Sequence, residues 1–339
     1  LNAPSHLKIA IIGAGMAGIA CAQRLMGAGY RPTVFDKSRG IGGRMAARRA
    51  GDGLTFDHGA QFLSARTADF QSCMDRLRAD GAVAEWHPVT PTRHAQVNES
   101  WYVGSPAMNS LVKHLADGVD IQLSDRVTRL FKERDGWRVI SEQDQAGTFF
   151  DLVICTAPVP QARNLVASDA DVIAAVSNVK MAPCWSLMVA FTQKPDFEYD
   201  AWHSDTGDIS WIACNSSKPG RSGDGLCWTV HASPEWSQQH LELGKEKAAA
   251  LIVENLRQIF TFVPSSIVHS AAHRWRYART LQALGKPFVS SEDGSLYVGG
   301  DWCLGPRVEC AFESGVAIAD AILGFGKSPE SENPVTIML

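Results

Sequence analysis

An α/β fold, with a parallel sheet in one domain and a second, mixed-sheet domain beside it, is predicted by three features of this 339-residue chain. Near its start an apolar run, Lys8–Ile12, enters Gly13-Ala-Gly-Met-Ala-Gly18 and then a helical pattern, Ile19–Leu25. Near its end another strand-like run, Ser295–Asp301, passes through glycines into a helical pattern, Arg307–Leu323. The composition, 45% hydrophobic and 20% charged, supplies a large core, and the length suits two domains.

Each element has a physical reason. Strand, GxGxxG and helix in that order form a Rossmann-like dinucleotide fingerprint: Gly13 for the tight turn, Gly15 for close backbone approach to a pyrophosphate, Gly18 for helix packing on the strand. The helix start at Met16 and Ala17 offers free N–H groups and a partial positive charge. Thr33–Phe35 reads as the next strand and ends in Asp36, where a carboxylate can accept from ribose hydroxyls. A second glycine loop, Asp36-Lys37-Ser-Arg-Gly-Ile-Gly-Gly43-Arg44-Met45, follows, and Arg44 can fork onto a phosphate oxygen. Asp125–Leu130, Gly136–Ile140 and Phe149–Cys155 read as a small meander plus a strand of the parallel sheet. Ala182–Phe191 and Gly225–Ala232 read as strands, and Lys245–Phe260 as an amphipathic helix with Leu251, Ile252, Leu256, Ile259 and Phe260 inward. The predicted division is a discontinuous nucleotide-binding domain (1–80, 116–159 and 286–325), a substrate domain (81–115 and 160–285) and a mobile tail (326–339).

Several function classes fall away. Thirty-two Lys and Arg against 36 Asp and Glu make the formal charge −4, which argues against nucleic-acid binding by phosphate neutralisation. No apolar run reaches membrane-spanning length, so no membrane partner is expected. The eight cysteines stand apart, without metal or dithiol spacing, and read as reduced, packed thiols; no metal is expected. Ile9–Ala22 imitates a signal peptide, but its glycines serve the fingerprint better, so a cytoplasmic location is expected.

The motifs AIIGAGMAG, FDKSRGIGGRMAARR, FDHGAQFLSAR, AHRWRYA and VGGDWCLGPRVECAFESG together resemble the renalase-like branch of the flavin amine oxidase superfamily. The resemblance implies the amine oxidase / p-hydroxybenzoate hydroxylase type of domain and non-covalent FAD. It carries the cofactor site onto Gly13, Gly15, Met16, Ala17, Gly18, Asp36, Lys37, Gly43, Arg44, Met45, His58, Gly59, Ala60, Gln61, Val127, Ala157, Pro158, Gly300, Asp301, Arg307 and Val308. It implies oxidation of 2- or 6-dihydro isomers of NAD(P)H to NAD(P)+ by hydride transfer to flavin, with O2 as acceptor. A small-amine oxidase and a non-enzymatic flavin sensor are the alternatives, and the oligomeric state is left open. Gln61, His231, Trp275, Tyr277 and Trp302 are the candidates for positioning the substrate, a dihydropyridine nucleotide or an amine. Lys286 is nearest in position to the amine oxidases' flavin lysine, although its LGKPF context does not match.

Overall fold

The computed structural model describes residues 7–91, 99–221 and 226–324. Gly225 and the tail expected over 326–339 lie outside the described residues. Ile9–Ile12 lies inside a six-stranded sheet ordered Phe288–Ser290, Leu296–Gly299, Leu152–Cys155, Ile9–Ile12, Thr33–Asp36, Asp120–Leu123. Neighbours run parallel except at the Phe288–Ser290 edge. Ile9, Ala10 and Ile11 are all buried, as a parallel strand covered on both faces must be. The chain leaves Ile9–Ile12 toward Thr33–Asp36 and later returns on its other side, so the strand ends there face a topological switch point, where open α/β sheets take ligands.

Helix Met16–Gly27 buries Ala17, Gly18, Ala20, Cys21 and Ala22. Small residues on this face allow very close packing. A Cβ at Gly18 would stand 1.9 Å from the Gly13 carbonyl oxygen, and one at Gly315 would stand 2.1 Å from that of Ala17. Helix Val308–Leu323 therefore lies against the first helix with no room for a methyl group, and the two ends of the chain meet. The meander Val127–Glu133, Gly136–Ser141 and Thr148–Phe150 is antiparallel.

The second sheet has five strands, ordered Ala201–His203, Ile209–Cys214, Cys227–Ala232, Lys180–Phe191, Ile267–Gln282. Every pairing in it is antiparallel rather than mixed. No crossover helix links neighbouring strands in parallel here, so antiparallel pairing is the geometry left. Helix Lys245–Leu256 packs near this sheet through Ala248, Ala249, Ile252 and Leu256. Leu251, expected inward, is exposed because it falls one position off that stripe, and Phe260 is buried beyond the helix end.

Residues 81–115, expected in the substrate domain, share a core with the first strand and helix. Val83–Trp86 pairs with Trp101–Gly104, and Trp86, Tyr102, Val103, Leu111 and Val112 share one core with Ile9, Ile19 and Leu25. The same core takes in Ala201 and Ala213 of the second sheet, so these residues pack where the two sheets' layers meet. No described helix is long and apolar enough to cross a membrane.

Candidate active site

One cavity of about 1530 Å³ runs from the phosphate loop into the space beside the second sheet. Single-ligand pockets are commonly ~300–1,000 Å³, so this volume suits a cofactor and a substrate together.

At the nucleotide end, the Gly13 N–H donates to the Phe35 carbonyl at 2.8 Å, and Gly13 takes φ 114° to do so. The Asp36 carboxylate accepts from the Ala14 N–H at 2.8 Å and the Ser38 N–H at 2.7 Å. It therefore ties the two loops together while keeping lone pairs toward the cavity it lines. A Cβ built on Gly15 meets nothing within 4 Å, which leaves a cradle open there for a ligand's phosphates. No side chain caps helix Met16–Gly27 or helix Val308–Leu323, and the starts of both helices line the same cavity. Two sets of free N–H groups with positive dipole ends suit a pyrophosphate and an anionic ring edge.

Arg44 corrects one expectation. Its guanidinium forks onto Asp301 at 2.9 and 2.6 Å and also donates to the Ala278 carbonyl at 3.3 Å. It is thus held by a carboxylate from the far end of the chain rather than left free for phosphate. Only its remaining N–H groups can reach a ligand.

The Asp57–Gln61 turn is wound around one amide. Gln61 Nε2 donates to the Asp57 carbonyl at 2.5 Å and the Gly59 carbonyl at 2.9 Å, while Oε1 accepts from Lys218 Nζ at 3.0 Å. A flipped amide would set oxygen against two carbonyls and nitrogen against an ammonium, so the orientation is determined. Both amide hydrogens are therefore used inside the protein, so Gln61 holds the turn while still lining the cavity. Behind it Asp57 accepts from Lys218 at 3.2 Å, from Arg221 at 2.5 Å and from the Met108 N–H at 2.9 Å. Burial alone would raise the Asp57 carboxyl, but Lys218 and Arg221 outweigh it and hold it below its ordinary value. Burial pulls the Lys218 ammonium down to about 8. Sequence reasoning missed Asp57, Lys218 and Arg221 as a group. The SSKPGR segment reads as a polar loop, and only the fold carries it beneath residue 57.

The chamber beyond is aromatic. Phe62 and Trp101 stack face to face at 4.0 Å, Trp211 lies 5.5 Å from Phe62, and all three line the cavity. His231, Trp275 and Tyr277 line it too, as expected. The Trp275 indole donates to the His58 carbonyl at 2.7 Å, and the two rings stack. Burial keeps His58 neutral down to about 3, aided by His273 and Arg48. Burial likewise lowers His231 and His273 to about 4. All three imidazoles are uncharged at pH 7.

Trp302 is a correction. It is fully buried, donates to the Ala157 carbonyl at 3.2 Å and does not line the cavity, because its short 3-10 turn points it into the core. Gly18 also lies off the cavity, in the helix–strand contact its motif predicts; every other expected cofactor residue lines it. Lys286 is exposed and outside the lining. Cys303 is a buried thiol pushed up to about 12, chiefly by burial.

The family model for flavin-containing amine oxidoreductases matches residues 93–323, and that for NAD(P)-binding Rossmann-like domains matches residues 11–77. The chain belongs to the flavin-containing amine oxidoreductase family. It is a flavin oxidoreductase by that membership, and the Rossmann-like domain is where the flavin's nucleotide would be held. A 53-residue segment is 47% identical to 4,4'-diapophytoene desaturase (4,4'-diaponeurosporene-forming) of Staphylococcus aureus, covering 16% of this chain and 10% of that protein. The match therefore spans about a tenth of the relative's length. Among solved structures, a protein assigned as a protoporphyrinogen oxidase from Exiguobacterium sp. 255-15 superposes with TM-score 0.74 at 12% identity, covering 94% of this chain and 99% of that one. Putrescine oxidase bound to putrescine superposes with TM-score 0.70 at 13% identity, covering 95% and 100%. At such identities the likeness shows the fold.

Proposed function

We propose that this family member is an oxidase with non-covalent FAD that takes a hydride from 2- or 6-dihydro isomers of NAD(P)H, returns NAD(P)+ and reduces O2 to H2O2. Bound FAD supplies the two-electron acceptor, with flavin N5 receiving the hydride. The observation that carries the reading is the aromatic lining of Phe62, Trp101, Trp211, Trp275 and Tyr277 in a cavity continuous with the nucleotide cradle. A neutral dihydropyridine that loses hydride becomes a pyridinium cation. Electron-rich rings such as Trp101, Trp211, Trp275 and Tyr277, which line the cavity, suit that developing charge better than they suit the neutral ring. The neutral imidazoles of His231 and His273 do not oppose it, and Arg274 and Arg276, which also line the cavity, are paired with Glu242. Aromatic walls also hold a flat ring in a fixed plane, which hydride transfer over about 3–3.5 Å requires. An activated donor needs no general base, and Gln61 with its donors occupied holds the Asp57–Gln61 turn that lines the cavity.

The test is anaerobic mixing of the FAD-loaded protein with each donor while absorbance near about 450 nm is followed. The 2- and 6-dihydro forms should bleach the flavin rapidly and 4-dihydro NAD(P)H poorly. Equal bleaching by the 4-dihydro form refutes the reading. Rapid bleaching by putrescine or another primary amine, with no response to any dihydropyridine, assigns the chamber to amine oxidation. FAD that no donor reduces leaves a flavin-binding sensor.

A further inference from the structure

Lys218 lies behind the wall of the cavity and outside the chemistry derived above. Its side chain is fully buried, with Nζ 3.0 Å from Gln61 Oε1 and 3.2 Å from Asp57 Oδ2, and 5.4 Å from the centre of the Trp86 ring. Arg221 also reaches Asp57, at 2.5 Å, and is equally enclosed. Two cations thus share one carboxylate, leaving a surplus positive charge in a dry interior. The other titratable groups facing Lys218 are the Cys214 thiol, itself pushed up to about 11 by burial, and the neutral His231. Neither offsets the surplus. Gln61, one hydrogen bond in front of the ammonium, lines the cavity together with Gly59 and Ala60. Low dielectric lets that charge act across the wall.

We propose that Lys218 is a positioning residue whose ammonium locks the Gln61 amide and, through it, stabilises negative charge on a reduced cofactor held against Gly59–Gln61. The proposal rests on the FAD reading above. Hydride transfer moves two electrons and one proton from donor carbon to cofactor, so the donor gains one positive charge and the cofactor one negative charge. A cation behind the wall favours that product over the neutral oxidised form. Because reduction adds a negative charge nearby, it also raises the affinity of Lys218 for its own proton.

The test is the midpoint potential of bound FAD, measured by equilibrium dye titration from pH 6.5 to 9.5 in the parent and in Lys218→Met and Lys218→Arg. Lys218→Met should shift the reduction equilibrium about tenfold toward the oxidised form, close to 30 mV for two electrons. Lys218→Arg should restore most of it. In the parent, potential should fall more steeply with pH above about 8, where the oxidised protein begins to release the Lys218 proton, and Lys218→Met should lack this break. A lower melting temperature with unchanged potential and an unchanged pH profile would show a purely structural role and overturn the proposal. Should Lys218→Met not fold, the parent's profile decides alone: a break near pH 8 supports the proposal and its absence overturns it. A protein that takes up no FAD refutes the functional reading instead, which keeps the two failures distinguishable.

Discussion

Replacing Asp57 by Asn removes the carboxylate that faces two enclosed cations. The Lys218, Arg221 and Asp57 side chains are 0%, 1% and 2% exposed, so water cannot take over the lost pairing. Removing one partner of a buried ion pair costs about 3–5 kcal/mol, because a charge is left unpaired. Total stabilities are ~5–15 kcal/mol, so the loss should be plain in urea unfolding followed by far-UV circular dichroism at pH 7. The control is Glu142→Gln, whose pair with Arg126 is 56% and 54% exposed and should cost under about 1 kcal/mol. Adding Lys218→Met to Asp57→Asn should cost less than the sum of the single changes by about 0.5–3 kcal/mol, since one orphaned cation is then gone. The Asp57 carboxyl is held below its ordinary 3.8, so its contribution is complete above that pH and is lost only as pH falls through the lower native value. An Asp57→Asn variant within about 1 kcal/mol of the parent would refute the buried-cluster account.

Three further outcomes are expected. Gly59→Ala places a Cβ 1.8 Å from the Arg44 carbonyl oxygen; the turn must shift, and FAD retention measured by absorbance after gel filtration should fall at least about tenfold, or 1.4 kcal/mol. Trp302→Ala should lower stability by about 3–5 kcal/mol in urea titration while leaving the KM for the reducing donor unchanged, since the residue packs in the core. His58, His231 and His273 have native values lowered from 6.5 to about 3, 4 and 4, so their neutral forms stabilise the fold fully above about pH 6.5, and that contribution drains as pH falls toward 3. Unfolding measured from pH 7 to 4 should show this decline, and His58→Phe should flatten it.

The nucleotide half was legible from residues 9 to 36 and 295 to 323 because its geometry is local: a tight turn, a close helix and free helix N–H groups depend on glycines a few residues apart. Asp36 was legible for the same reason, and its contacts with Ala14 and Ser38 connect loops already adjacent through the parallel strands. Arg44 shows where local reading stops. Its fork would suit a phosphate, but its actual partner, Asp301, is 257 residues away and arrives only when the last strand joins the sheet. Trp302 stood in the right motif, yet a single short turn aims it inward.

The sequence by itself determined the α/β class, the glycine cradle and the starts of the two helices, because short-range sterics and backbone hydrogen bonding dictate them. Tertiary structure alone decided the rest. It packed residues 81–115 into the first core and stacked Phe62 on Trp101. It also set Lys218 and Arg221 on Asp57 across separations of 161 and 164 residues. Charge pairing and ring stacking have no sequence period. Buried charges require partners, but which loop supplies them depends on how two sheets and their connections fill space.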